Sequence, residues 1–137
     1  MGNFLDKTTR ALGASANLRL LRQNITATNI ANAETPGFKA KKVDFEEALS
    51  RAIDHEGLGK VHTSDDEHFL MGQGAISRAR ADVYDNPDIN LSNDGNTVDL
   101  EKEMATLNEN TILYRAALQL INKKLGALRY AATEGTR

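Results

Sequence analysis

Two long stretches without proline, one near each end of the chain, constrain the fold more than any other feature. Over residues 3–33, apolar or small side chains recur at alternating steps of three and four residues, and the same spacing returns over 97–133. This spacing places the side chains on one stripe of a helix, as in a coiled-coil seam. We therefore predict two helices, each roughly 45–55 Å long at about 1.5 Å per residue.

The two predicted seams need partners. The first contains Leu18, Leu21 and Ile25, and the second, richer seam contains Leu100, Met104, Leu107, Tyr114, Leu118, Ile121, Leu125 and Leu128. An isolated helix is marginal in water without tertiary packing. The stripes must therefore pair with each other, with other subunits, or with both. We expect these helices to be mobile in the isolated chain and ordered in an assembly.

Turn-forming residues mark the inner ends of both helices. Pro36 and Gly37 stop the first, because proline cannot continue a helix and biases the preceding residue away from helical geometry. Asp94 and Gly95 form a turn before the second, which either Asn96 or Thr97 is expected to cap.

The middle of the chain, residues 34–96, has a different character. Residues 38–43 are predicted to be extended, and Asp44 with Glu47 resembles a capping box at the start of a short helix near 45–55. Residues 57–93 are rich in Gly, Asp, Asn and Ser, with only a weak strand signal at 81–84, and are predicted to be irregular. The fold class is therefore mainly α, with an irregular, partly β middle segment.

Composition argues against several functions. The net charge of −2 does not favour nucleic-acid binding, and the absence of cysteine excludes disulfides and thiolate chemistry. We predict that His55, His62 and His68 are solvated loop residues and not a metal site. No phosphate-binding loop or catalytic constellation is recognisable, so we predict neither an enzyme nor a cofactor. No secretory signal and no membrane insertion are expected, because no long apolar run is present.

The segment 24–39 combines an asparagine-rich helix end with a Thr-Pro-Gly-Phe-Lys exit. It resembles the signature of flagellar axial proteins, which are the rod, hook and hook-associated subunits. Asn29 and Asn32, three residues apart, are predicted to fix register at a packed interface; the alternative is a helix end that frays into solvent. The resemblance implies that the assembly motif consists of Asn24, Asn29, Ile30, Asn32, Thr35, Pro36, Gly37 and Phe38.

The sequence of the second predicted helix indicates which type of axial protein the chain resembles. Residues 96–104 resemble the start of the C-terminal helix of rod proteins, and residues 114–125 with Arg129 and Tyr130 resemble the proximal-rod FlgB type. They depart from the Arg-Ala-Tyr-Gln-Ala-Asn pattern of FlgC, the distal rod and the hook. The resemblance covers roughly residues 3–50 and 92–132, and the middle of the chain matches poorly.

What the resemblance implies is a structural subunit of the proximal rod. Residues 1–33 and 97–137 would form one discontinuous helical domain, an antiparallel pair, with 34–96 as an insert. Subunits would assemble helically into a drive shaft and export channel that spans the periplasm. Partners would be further copies, rod proteins of the FlgC, FlgF and FliE types, the MS ring and the flagellar type III export apparatus, which exports the chain without a cleaved signal. The alternatives are another proximal-rod component such as FlgC, or a free-standing coiled-coil adaptor.

Overall fold

The computed structural model of the chain describes residues 6–56, 74–87 and 93–134. Two long helices and a small middle region make up these ranges. In chain order the elements are α1 (Lys7–Ala31), β1 (Lys41–Asp44), α2 (Glu46–His55), α3 (Ala75–Arg78), β2 (Asp82–Asp85) and α4 (Leu100–Glu134). The predicted fold class is confirmed, with α1 and α4 as the two long helices. Of the region 57–93 predicted to be irregular, only 74–87 and 93 lie within the described residues.

Aspartates cap both long helices. The Asp6 carboxylate accepts hydrogen bonds from the amide and the hydroxyl of Thr9, at 2.9 and 2.8 Å. Its ion pair with Lys124 and these bonds lower the pKa of Asp6 to about 2. At the start of α4 the Asp99 carboxylate accepts from the amide of Lys102 at 3.2 Å. The prediction that Asn96 or Thr97 caps this helix is therefore wrong, because the backbone becomes helical only after Asp99.

The two long helices run antiparallel, as predicted. Three contacts fix the direction. Asn32 pairs with Asn96 at one end, the Asn110 amide reaches the Arg19 carbonyl at 2.7 Å in the middle, and Lys124 pairs with Asp6 at the other end. Along these three contacts the residue numbers fall in α1 while they rise in α4. The helices therefore form a hairpin, in which the middle region connects the C-terminal end of α1 to the N-terminal end of α4.

The strands form a two-stranded antiparallel sheet in which Lys41 lies opposite Asp85 and Val43 opposite Val83. This confirms the weak strand signal near 81–84 and the extended segment before Asp44. The short helix is also confirmed as α2. Its predicted capping box is wrong, because Phe45 is the N-cap and makes no side-chain cap bond. Asp44 instead ends β1, and its carboxylate accepts a hydrogen bond from the Tyr84 hydroxyl.

The hydrophobic core lies between α1 and the middle region. Residues on the inner side of α1, including Ile25, pack against a buried cluster that consists of Leu18, Val43, Phe45, Leu49 and Ile76. No residue of α4 belongs to this cluster. Two α1 residues predicted for a helix-to-helix seam, Leu18 and Ile25, thus pack on the middle region, while Leu21 is 37% exposed. Among the described helices, none is both long and apolar enough to cross a membrane.

Candidate assembly site

The exit of α1 and the start of α4 are held together by backbone hydrogen bonds. The Gly37 amide donates to the Asp94 carbonyl and the Thr97 amide to the Phe38 carbonyl, each at 3.0 Å. The Thr97 hydroxyl accepts from the Ala40 amide at 2.8 Å. Gly37 has a φ of 71°, a left-handed conformation that glycine adopts without steric cost. The turn in the predicted motif is therefore one half of a junction, and residues 94–97 are the other half.

Asn96 is the centre of this junction and is 2% exposed. Its amide nitrogen lies 2.8–3.0 Å from the carbonyl oxygens of Asn32, Ala33 and Thr35, at the end of α1. Its side-chain oxygen accepts from the Val98 amide at 2.8 Å. One side chain thus contacts three carbonyls of the segment that follows α1 and holds that segment against the start of α4. The sequence indicated Asn96 only as a possible cap of α4, because its main partners lie more than sixty residues earlier.

Asn29 joins α1 to the first strand. Its amide donates to the Lys41 carbonyl at 2.7 Å and its oxygen accepts from the Lys41 amide at 3.0 Å, so the side chain pairs with β1 as a neighbouring strand would. Asn29 is 1% exposed. Burial raises the pKa of the Glu103 carboxylate of α4, and the nearby Asn29 side chain opposes that shift. The two bonds to Lys41 fix the position of α1 relative to β1.

The structure separates Asn29 from Asn32. Asn32 is only partly buried, and its amide donates to the Thr28 carbonyl at 2.8 Å. Its side-chain oxygen accepts from the Thr35 hydroxyl at 3.2 Å. Residues three apart on a helix differ by about 60° in direction, so one can be buried while the other lies at the edge. Of the other predicted motif residues, Ile30 and Phe38 are partly buried, and Asn24, Thr35, Pro36 and Gly37 are exposed.

Basic side chains of α1 are used within the chain. Arg10 lies 2.9 Å from the Glu56 carboxylate, whose side chain is 3% exposed. Hydrogen bonds from the Ile76 and Gly74 amides lower the pKa of Glu56, against the effect of burial. Arg22 forms an ion pair with Glu46 at 2.6 Å, donates to the Val43 carbonyl and lies over the Phe45 ring. These contacts attach α1 firmly to the middle region.

The face of α4 that meets α1 combines a buried, mainly polar column with partly buried apolar residues. Its buried residues are Glu103, Asn110 and Ala117, which recur every seven positions, and Leu107, Tyr114 and Ile121 beside them are partly buried. Residues seven apart lie on one column of a helix in a coiled coil. The column that faces α1 is therefore not the most apolar one.

Two apolar columns flank this face. We call Leu113 and Leu120 the first outer column, and Met104, Leu118 and Leu125 the second outer column. All five are exposed, Leu120 by 54% and Leu125 by 48%. Leu100, at 46%, and Leu128, at 37%, are exposed as well. Predicted seam residues of α4 thus lie largely on the surface of the single chain, where they form a large apolar patch.

The contacts of the described residues are those of helix packing and of backbone hydrogen bonding. No group of three or more side chains within 6–56, 74–87 and 93–134 could hold a metal ion. His55 is the last residue of α2 and is partly buried, so the prediction that it is a solvated loop residue is wrong, while His62 and His68 are outside the described residues. An antiparallel helix hairpin, a hydrogen-bonded junction and exposed apolar columns together define a structural subunit built to contact other helices.

Comparison with known proteins places the chain more narrowly. A family model described as "Flagella basal body rod protein" matches residues 11–39. The chain is 40% identical over 114 residues to the flagellar basal body rod protein FlgB of Cereibacter sphaeroides, covering 83% of this chain and 84% of the relative. It is 36% identical over 124 residues to that of Salmonella typhimurium, covering 88% and 89%. The chain therefore belongs to the FlgB family of flagellar basal-body rod proteins.

Membership has direct consequences for function. The protein is a structural component of the flagellar basal body and not an enzyme. It assembles with other basal-body components. These findings confirm the resemblance carried by residues 24–39 and by the second helix.

Proposed function

We propose that this chain is a building block of the proximal rod that assembles helically through α1 and α4, forming part of the drive shaft and of the channel through which later subunits are exported. Its neighbours are further copies, rod proteins of the FlgC, FlgF and FliE types, and the MS ring. The rod segment so formed spans the periplasm, and the flagellar type III apparatus exports the chain without cleaving a signal.

The two outer columns of α4 carry this proposal. Regularly spaced exposed leucines do not stabilise a monomer, because each exposed leucine side chain forgoes about 1.5–3 kcal/mol of the free energy that full burial would contribute. Heptad spacing of Leu113 with Leu120, and of Leu118 with Leu125, matches what a neighbouring helix needs for knobs-into-holes packing. Since the columns lie on opposite sides of the α1 contact, α4 packs against a helix of a neighbouring subunit on each side.

The exposed face of α1 also suits a packed assembly. Its exposed side chains include Leu20, Leu21 and Ala27, and the asparagine Asn24 lies among them. Between residues 17 and 31 none of the exposed side chains of α1 is charged, so this part of the helix has no exposed charge that would have to be desolvated at an interface. In this arrangement Asn24, Asn32 and the turn Thr35–Phe38 contact the neighbouring subunit, while Asn29 acts within its own chain.

Complementation of a strain that lacks the gene tests the proposal. Leu118→Asp with Leu125→Asp, and separately Leu113→Asp with Leu120→Asp, should abolish swimming and rod assembly, because charges would be buried at the subunit contact. The matched control is Gln119→Asp with Asn122→Asp, which adds the same charge on exposed positions outside both columns. Circular dichroism of the purified variants should show unchanged helix content. Wild-type swimming in both column variants would contradict the proposal.

A further inference from the structure

Helix α4 carries four exposed charged side chains whose positions repeat after fourteen residues. Glu101 and Glu109 come first, eight positions apart, and Arg115 and Lys123 follow with the same separation. Each base thus lies fourteen positions, or two heptads, after one of the acids. We call Glu101 and Glu109 the acidic pair, and Arg115 and Lys123 the basic pair.

These charges are not used within the single chain. Among residues 6–56, 74–87 and 93–134, none of the four side chains takes part in an ion pair. The ion pairs of α4 join Lys102 to Asp99 and Lys124 to Asp6 instead. No residue three or four positions from any of the four carries the opposite charge, so pairing along the helix does not account for them. The helix dipole favours acids only in the first turn, which accounts for Glu101 alone.

The four charges flank the two outer columns. Glu101 lies three positions before Met104, and Arg115 lies three positions before Leu118, both in the second outer column. The second members of the two pairs lie beside the first outer column. Positions fourteen apart occupy the same place in the heptad of a coiled coil, and charges that flank an apolar seam form ion pairs between helices. The four side chains are therefore placed for contacts with helices that pack on the outer columns.

The sign of these contacts depends on the axial offset between copies. In a helical assembly, copies are related by rotation about one axis and translation along it, so their α4 helices run in the same direction. Without an offset, each acid would lie beside the same acid of the next copy, and each base beside the same base. An offset of fourteen residues, about 21 Å, brings the acidic pair of one copy level with the basic pair of the next.

Such an offset also suits the packing of the helices. The axes of packed helices lie about 8–10 Å apart, a distance that a glutamate and a long basic side chain can span together. Because fourteen residues are a whole number of heptads, the offset leaves the apolar columns facing each other as they would without it.

We infer that α4 packs beside α4 of another copy of this chain with an axial offset of about 21 Å, which the acidic pair of one copy and the basic pair of the next determine. The inference rests on the proposed assembly through α4, and it adds the identity and the register of the neighbouring helix. Charges at an interface select the arrangement more than they add affinity, because like charges side by side disfavour the alternatives.

Two neutral side chains allow the offset to be measured with all four charges in place. Asn108 and Asn122 are exposed, lie fourteen positions apart and occupy the same heptad position as Glu101 and Arg115. In isolated basal bodies, the chain with Asn108→Cys and Asn122→Cys should form a covalent dimer with a thiol reagent that spans about 8–10 Å, at least about fivefold more than either single variant. The two positions are about 21 Å apart within one helix, so the reagent cannot join them inside a chain.

Two results of this experiment would overturn the inference. Comparable dimers from Asn108→Cys alone would mean that copies lie side by side without an offset. No dimer from any of the three variants would mean that α4 does not lie beside α4 of another copy. The leucine variants of the outer columns should abolish swimming whichever helix covers them, so either result would leave the complementation test of the proposed function intact.

Exchange of the charges tests whether they set the offset. Glu101→Lys with Glu109→Lys makes all four charges positive, and Arg115→Glu with Lys123→Glu makes all four negative. Each reversal should lower the swimming rate of the complemented strain at least about threefold, because like charges then lie side by side. The chain with all four substitutions restores opposite charges and should swim at least about twofold faster than either reversal. If it swims no faster, or if the reversals swim like the wild type, the charges do not set the offset and the inference is wrong.

Discussion

Replacement of Asn96 by alanine tests the junction most severely with a single change. The Asn96 side chain meets three carbonyl oxygens of the α1 exit and the Val98 amide. Two of those carbonyls have a second partner, because Asn32 also accepts from the Thr35 amide and Thr35 from the Phe38 amide. In the alanine variant, the Ala33 carbonyl and the Val98 amide are the groups left without a protein partner.

The size of the effect follows from these two groups. A buried polar group that loses its partner costs about 1–3 kcal/mol. Because Ala33 is only partly buried and water reaches it, we expect a combined loss of about 2–4 kcal/mol, in the lower half of the range of about 2–6 kcal/mol for two groups. For a chain of this length that lowers Tm by roughly 8–16 °C. Asn96→Asp should destabilise at least as much, because it retains the acceptor for Val98 but turns a carboxylate toward the carbonyls.

Urea unfolding and thermal melts followed by circular dichroism measure these losses. Asn93→Ala is the matched control, since Asn93 lies in the same turn but is exposed and should change stability by less than about 0.5 kcal/mol. If Asn96→Ala is as stable as Asn93→Ala, the hydrogen bonds of the junction do not hold the two helices together. A milder effect for aspartate than for alanine would show that the amide donor is not what matters.

Two further predictions concern buried polar residues. Asn29→Leu should cost about 2–3 kcal/mol in urea unfolding, because both backbone groups of Lys41 lose their partner, whereas Asn32→Leu should cost under about 1 kcal/mol; similar losses would mean that Asn29 has no special role in the fold. Glu103→Gln should stabilise the protein at neutral pH. Burial raises the pKa of Glu103 above its ordinary 4.5. The folded state therefore binds the Glu103 proton more tightly than the unfolded state does, and the stability of the wild type falls as the pH rises from 4.5 through the higher pKa of the folded state. The advantage of glutamine should disappear below about pH 4, and a pH-independent difference would exclude titration of Glu103 as its source.

The long helices and their approximate ends could be predicted from the sequence, because proline and apolar spacing act locally. Which column of α4 faces α1 could not be predicted. Apolar spacing ranks columns by hydrophobicity, yet on α4 the most deeply buried column contains Glu103 and Asn110, while the leucines at 113, 118, 120 and 125 are exposed. The same pattern serves contacts within the chain and contacts between subunits, and a single sequence does not separate the two.

The junction shows the other limit of prediction from sequence. The turn at Pro36 and Gly37 was recognisable from local chemistry, and so was the turn at Asp94 and Gly95. Their union depends on Asn96, whose three carbonyl partners lie 61 to 64 positions away. Asparagine in a turn normally bonds to its own neighbouring backbone. The long-range bonds therefore leave no local signal that would distinguish this residue from any other turn asparagine.

Site-directed cross-linking in isolated basal bodies tests the assembly through α4 most directly. The chain contains no cysteine, so a single introduced cysteine is the only thiol it carries. Cysteine at Leu120 or at Leu125, one in each outer column, should be joined by a short bifunctional reagent to a neighbouring rod subunit, giving a covalent product absent from the purified monomer. Cysteine at Arg51, exposed on α2, serves as the reference position. Efficient cross-links from both columns would support packing of α4 between neighbours, whereas reaction at Arg51 alone would contradict it.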